Sequence, residues 1–119
     1  MDLYGLLGYP LGHSFSAAYF TEKFSNLQID ARYCNFEYNS VEAALAYMMQ
    51  QDELKGFNVT IPYKEKIIPY LSELSADAAA IGAVNVVKVI RDGNGKVSLK
   101  GYNSDYIGFV DSIKPLLHT

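Results

Sequence analysis

One stretch of the sequence, residues 58–64 (NVTIPYK), constrains the fold of this chain more than any other. Apolar Val59 and Ile61 alternate with polar neighbours, which is the period-two pattern of a strand with one polar edge. Pro62 predicts the end of that strand and the first residue of a helix, because its fixed φ suits that position and it needs no donor there. Lys64 would lie in the first turn of the helix, where the helix dipole disfavours a cation. Open α/β sheets bind ligands at the carboxyl ends of strands, so the stretch is either a plain strand-to-helix corner or part of a ligand site.

Composition limits the class of protein. The chain has 119 residues, of which 50% are hydrophobic and 19% charged, which is enough for one globular domain with a sizeable core. A net charge of -3 without a Lys/Arg cluster argues against nucleic acid as the main partner. No apolar run approaches the roughly 20 residues of a membrane span, and no basic region precedes an apolar one at the N-terminus. We therefore expect a cytoplasmic protein that does not associate with membranes.

Metal and thiol chemistry receive little support from the sequence. Two histidines that lie far apart and a single cysteine give no ligand spacing, so no metal is expected. Neither the Ser-His-Asp order nor the Cys-His pairing of a nucleophilic catalyst stands out. Cys34 lies in an apolar-aromatic run, where a buried small hydrophobic side chain is the favoured interpretation and a reactive thiol is the alternative.

Strand and helix patterns alternate along the chain. Apolar runs predict strands over residues 3–9, 31–38, 83–90 and 97–102, and the cluster at 91–96 (RDGNGK) predicts a hairpin turn. Helices are expected after residue 13, after residues 39–40, over residues 75–81 with Gly82 as the stop, and after residues 103–104. We therefore predict an α/β fold, a mixed, mainly parallel sheet flanked by helices in three α/β/α layers.

Two of the predicted helices carry apolar stripes that should face the sheet. The stripes consist of Ala17, Phe20, Phe24 and Leu27 in the first helix and of Val41, Ala44, Leu45 and Met48 in the second. Asn39 or Ser40 is expected to cap the second helix, with Glu42 as the capping-box partner of Asn39.

Small polar residues stand beside glycines or prolines at four predicted strand ends. They are Ser14 with Ser16, residues 58–64, residues 82–85 (GAVN), and residues 101–105 (GYNSD) with Gly108 behind. If the strands are parallel, the first two places open helices at the same edge of the sheet. Hydroxyls and amides there suit a small polyhydroxylated or carboxylated ligand. Lys64 and Asp105 are the one ionisable pair among them, and a lysine held by an aspartate can act as a general acid or base.

Each of these residues also has a structural interpretation. Ser14 and Ser16 would serve as helix caps, Asn85 would satisfy a strand end, and Asp105 would be a first-turn acid favoured by the helix dipole. His13 is more often a structural hydrogen-bonding residue than a catalyst. On the residues alone, both interpretations stay open at every position.

Four motifs together resemble the shikimate dehydrogenase family. They are residues 8–16 (GYPLGHSFS), 58–64 (NVTIPYK), 82–85 (GAVN) and 103–108 (NSDYIG), in this order and with family-like separations over almost the whole chain. The resemblance implies that residues 1–119 form the substrate-binding N-terminal domain of an oxidoreductase. Such an enzyme reduces 3-dehydroshikimate to shikimate with NADPH, in the shikimate pathway of aromatic amino acid and chorismate biosynthesis.

The resemblance also implies roles for individual residues. The substrate-binding positions of the family carry over onto Ser14, Ser16, Asn58, Thr60, Lys64, Asn85 and Asp105. The two serines and the threonine would hold the carboxylate end of the substrate, and the two asparagines would help to hold the substrate and order the site. Lys64 and Asp105 would form the catalytic dyad beside the reacting oxygen.

Three departures from the family pattern stand out. Val86 replaces the threonine that usually follows the asparagine of the third motif, and Ser104 replaces a threonine in the fourth. The third departure is larger, because the glycines of the first motif do not have the G-x-G-x-x-G spacing and no second βαβ unit follows Gly108. We therefore expect an excised or truncated domain that binds no cofactor itself, with NADP bound by a C-terminal domain absent from this chain.

The resemblance leads to further expectations for the isolated chain. It should have no dehydrogenase activity and should bind shikimate weakly at most, because part of the pocket would come from the missing domain. An interface exposed by truncation would favour a homodimer. Two alternatives stay open. One is a quinate or mixed quinate/shikimate dehydrogenase, which Ser14 and Ser16 disfavour modestly, and the other is a non-catalytic module that binds a shikimate-type ligand.

Overall fold

The fold is a six-stranded mixed sheet with helices on both faces. We describe it from a computed structural model that covers residues 2–11 and 16–103. In chain order the elements are β1 Asp2–Gly8, α1 Ser16–Asn26, β2 Ala31–Glu37, α2 Val41–Met48, β3 Leu54–Val59, β4 Glu73–Leu74, α3 Ala76–Ile81, β5 Val86–Arg91 and β6 Val97–Tyr102. The strand order in the sheet is β2-β1-β3-β5-β6-β4.

Strand pairing brings most of the strand ends named above to one edge of the sheet. β1 pairs in parallel with β2 and β3, whereas β5 is antiparallel to both β3 and β6. Val86, the first residue of β5, consequently lies opposite Asn58 in β3 and opposite Tyr102 at the end of β6. We call this the carboxyl edge, because β1, β2, β3 and β6 all end there. The predicted mixed, mainly parallel sheet is confirmed.

Two apolar clusters attach the helices to opposite faces of the sheet. Alternate residues of β1 point to different clusters, with Leu3 and Leu7 in the larger one and Tyr4 and Leu6 in the smaller one. α2 and α3 pack in the larger cluster, and all four residues of the predicted α2 stripe are buried there. α1 packs in the smaller cluster. The predicted three-layer arrangement is therefore confirmed.

The stripe of α1 is confirmed in part. Phe20 and Phe24 are buried, whereas Leu27 follows the end of the helix and is 41% exposed, so its predicted place in the core is wrong. The side chain of Ala17 lies outside the described residues.

α3 agrees with the prediction, since Gly82 ends it with a φ of 78°.

The cap of α2 differs from the predicted capping box. Ser40 is the N-cap, and its hydroxyl accepts a hydrogen bond from the Ala43 N–H at 3.0 Å. With Ser40 in that place, Glu42 is one residue too early to pair with the cap. The Glu42 carboxylate instead accepts a hydrogen bond from the hydroxyl of Tyr70, 28 residues later.

The segment after β3 does not form the predicted helix. β3 ends at Val59, and Ile61, expected to alternate with it in the strand, is 73% exposed. Residues 61–67 contain turns, the Ile61–Pro62 peptide bond is cis, and only a short 3-10 helical turn follows at Ile68–Tyr70. Pro62 therefore does not begin a helix.

Long-range hydrogen bonds explain the course of this segment. The Lys64 carbonyl accepts the N–H of Val84 at 2.8 Å, and the Tyr63 hydroxyl donates to the Tyr38 carbonyl at 2.5 Å. Since these partners lie far away in the sequence, local pattern could not reveal them. Lys64 lies in a turn, and the helix-dipole argument for its unusual position does not apply.

None of the helices in the described part of the chain has the length and apolar character that crossing a membrane requires. The predicted helix after residues 103–104 lies outside the described residues. The side chain of Asn103, one of its two candidate caps, donates through Nδ2 to the Ala83 carbonyl at 3.1 Å.

Candidate functional site

Backbone hydrogen bonds join the polar motifs along the carboxyl edge. The Thr60 N–H donates to the Leu7 carbonyl at 2.9 Å, which links the second motif to the end of β1. On the other side, the Val59 N–H donates to the Asn85 carbonyl at 2.8 Å. The end of β3 is thus held between the first and third motifs.

The third motif is in turn bonded to the end of β6. The Asn85 N–H donates to the Tyr102 carbonyl at 3.0 Å, and the bond between Val84 and Lys64 draws the turn after β3 toward the same place. Residues 58–64, 82–85 and 102–103 are therefore neighbours.

Asn58 supplies a buried polar side chain at this edge. It is 4% exposed and is the one polar residue that is buried among those described. Its Oδ1 accepts a hydrogen bond from the Tyr33 hydroxyl at 2.8 Å, which offsets the cost of burying an amide. Sequence analysis did not single out Tyr33, because a bond between side chains 25 residues apart leaves no local signal.

The other predicted site residues differ in how far the structure describes them. The Lys64 side chain is exposed, whereas Thr60 and Asn85 are half-buried. Ser16 is the first residue of α1, but its side chain lies outside the described residues. Ser14, Asp105 and also His13 and Ser104 lie outside them entirely. The structure thus brings Asn58, Thr60, Lys64 and Asn85 to one edge, on which α1 also begins.

The loop after β1 is fixed by a carboxylate. The Leu11 N–H donates to Glu37 Oε2 at 2.7 Å, and the Tyr9 N–H donates to the Ile61 carbonyl at 3.1 Å. Dinucleotide-binding sheets use free backbone N–H groups after the first strand to cradle phosphates. A carboxylate at this N–H would repel a phosphate, so the described part of the loop, residues 9–11, does not favour a dinucleotide.

Metal and thiol chemistry find no further support in the structure. Residues 2–11 and 16–103 contain no group of three or more His, Cys, Asp or Glu side chains that could hold a metal ion. Cys34 is half-buried against the larger cluster, and burial raises the pKa of its thiol. A raised pKa lowers the fraction of reactive thiolate, which favours the packing interpretation of this cysteine.

Comparison of the sequence with known proteins identifies a family. The family model described as the shikimate dehydrogenase substrate binding domain matches residues 6–87. A shikimate dehydrogenase (NADP(+)) of Syntrophomonas wolfei subsp. wolfei is 41% identical over 114 residues, covering 95% of this chain and 38% of the relative. The chain spans about two fifths of the length of the curated relatives it matches.

Solved structures agree with the sequence relatives. The crystal structure of shikimate dehydrogenase from Aquifex aeolicus has a TM-score of 0.78 at 38% identity, over 99% of this chain and 43% of that chain. Shikimate 5-dehydrogenase from Listeria monocytogenes, solved in complex with shikimate and NAD, has a TM-score of 0.76 at 31% identity, over 98% of this chain and 39% of that chain. Family model, sequence and fold agree, and the chain belongs to the shikimate dehydrogenase substrate binding domain family.

Proposed function

We propose that the chain binds shikimate and 3-dehydroshikimate as the substrate-binding domain of a cytoplasmic, NADP-dependent shikimate dehydrogenase. The observation that supports this most is the buried amide of Asn58, the first residue of the second motif. The Tyr33 hydroxyl donates a hydrogen bond to this amide, which lies near the third motif. Shikimate, with which the Listeria monocytogenes relative was solved in complex, is a small acid rich in oxygen. Such a ligand needs directional hydrogen-bond partners more than apolar surface.

The proposed roles follow the chemistry of each side chain. The amides of Asn58 and Asn85 and the hydroxyl of Thr60 can donate to the oxygens of the ligand. Ser14 and Ser16 would complete the carboxylate end of the pocket from the start of α1. With these two serines, the proposed site has five binding groups that do not ionise.

Lys64 and Asp105 would transfer a proton to and from the reacting oxygen. On an exposed, flexible stem, the Lys64 ammonium group can reach that oxygen and give it a proton, and the resulting neutral amine can take a proton back in the reverse reaction. Asp105 would orient the ammonium group and take part in the proton transfer. Among the described residues, binding would then fall to the buried Asn58 and the half-buried Thr60 and Asn85, and proton transfer to the exposed Lys64.

The cofactor belongs to another part of the proposed enzyme. In the described part of the loop after β1, residues 9–11, the Leu11 N–H is engaged by the Glu37 carboxylate, which disfavours a phosphate there. We propose that NADP is bound by a further domain, within the part of the relatives' length that this chain does not span. The isolated chain would then be inactive, and it would self-associate through the surface that such a domain covers.

Titration of shikimate into the isotope-labelled chain, followed by amide NMR shifts, tests the proposal. We expect weak binding, with the largest shifts at Asn58, Thr60, Lys64 and Asn85, and no NADP-dependent turnover by this chain alone. A parallel titration with quinate is the matched control, and equal or tighter binding of quinate would indicate the broader specificity. Shifts confined to other surfaces, or measurable turnover by the isolated chain, would contradict the proposal.

A further inference from the structure

Tyr33 connects α1 and β3, two elements that carry proposed binding residues. Its ring stacks on Phe20 of α1, with centroids 4.6 Å apart and planes inclined by 23°. Its hydroxyl donates to Asn58 Oδ1 at 2.8 Å, and the residue is only 6% exposed. Tyr33 lies in β2 while Asn58 lies in β3, with β1 between these strands in the sheet. The bond therefore ties together elements that do not pair directly.

The bond determines what the Asn58 amide offers to a ligand. A side-chain amide has one acceptor oxygen and a nitrogen with two N–H donors. Because the phenol O–H donates to Oδ1, the acceptor is engaged and the two donors on Nδ2 stay available. A carboxylate or hydroxyl oxygen of a ligand requires donors of this kind. Without the hydroxyl, a buried carbonyl oxygen would lose its partner and the amide would be free to rotate.

We propose that Tyr33 is a positioning residue for ligand binding, which acts through Asn58 by holding the Nδ2 donors in place. The inference rests on the proposed function and deepens it, because it assigns a role to a residue one hydrogen bond behind the ligand.

Tyr33→Phe tests this role, because it removes one oxygen atom and keeps the ring that stacks on Phe20. We expect shikimate to bind about three- to tenfold more weakly, the effect of one impaired hydrogen bond. Tyr4→Phe is the matched control. It removes a hydroxyl from the same cluster, but the hydrogen bond to Asn58 Oδ1 comes from Tyr33, so the Tyr4→Phe variant should bind as the wild type does.

A double-mutant cycle separates positioning from general stability. Asn58→Ala should weaken binding by itself, and adding Tyr33→Phe should weaken it no further, because Tyr33 acts through the amide that is then absent. A merely structural role would produce the full additional loss in the Asn58→Ala background. That result, or unchanged binding in Tyr33→Phe alone, would overturn the inference.

A measurement without ligand distinguishes failure of the inference from failure of the proposed function. The side-chain N–H signals of Asn58 should shift in Tyr33→Phe and stay unchanged in Tyr4→Phe. If the wild-type chain binds no shikimate, the proposed function has failed, and the inference falls with it. If the wild type binds shikimate but the Asn58 signals do not respond to Tyr33→Phe, the positioning role alone is overturned.

Discussion

Lys64→Ala should lower the turnover of a shikimate dehydrogenase that contains this chain by about 10²–10⁴-fold, the range typical of general acid-base catalysis. The Lys64 backbone is fixed by the bond from the Val84 N–H at 2.8 Å, while its side chain is exposed at the carboxyl edge. The substitution therefore removes the ammonium group without disturbing the buried Asn58. Shikimate binding should change much less than turnover, because the other proposed contacts stay in place.

The measurement uses this chain fused to the remaining length of the Aquifex aeolicus shikimate dehydrogenase described above. The unmodified fusion provides the reference turnover. Lys66→Ala is the matched control, because Lys66 is also exposed but lines a separate cleft of about 450 Å³ beside Glu42 and Tyr70. Equal turnover in the Lys64→Ala and Lys66→Ala fusions would exclude Lys64 as the proton-transfer group.

The features of the fold that could be predicted are those set by local pattern. Buried apolar runs gave the strands near their observed bounds, and the hairpin between β5 and β6 follows from the glycine-rich turn at 91–96. Once β1 and β3 are parallel neighbours, the side chains after them must meet at one edge. This is why Asn58 and Thr60 could be placed beside the end of β1 from the sequence.

The features that could not be predicted depend on partners far away in the chain. Pro62 suits the start of a helix, but the Tyr63 hydroxyl and the Lys64 carbonyl are engaged by Tyr38 and Val84, and the segment forms turns. β4 has two residues, too few for any periodic pattern, and it is defined only by its pairing with β6. The same limit applies to the bond between Tyr33 and Asn58.

The carboxyl edge also includes a close approach of Gly8 to the side chains of Thr60 and Leu11. Gly8 is the last residue of β1, and a Cβ atom added to it would lie 2.5 Å from Thr60 Cγ2 and 2.8 Å from Leu11 Cδ2. It would also lie 3.1 Å from the Ile61 carbonyl oxygen. Real Cβ atoms essentially never lie within 3.0 Å of another atom, so the Thr60 and Leu11 side chains would have to shift and the Ile61 carbonyl would have to give way slightly. The small size of glycine thus favours the contact between the first and second motifs.

Gly8→Ala should therefore reduce both stability and ligand binding. Overpacking at this contact should cost about 1–3 kcal/mol in the free energy of unfolding, measured by urea denaturation. Displacement of the Thr60 hydroxyl should weaken shikimate binding about three- to tenfold, as expected for one lost hydrogen bond. Adding Thr60→Ser, which removes Cγ2 and keeps the hydroxyl, should restore part of both losses. Gly93→Ala is the control, because no atom lies within 4 Å of a Cβ added at that position. If the Gly8→Ala chain is as stable as this control and binds shikimate as tightly, the proposed contact is contradicted.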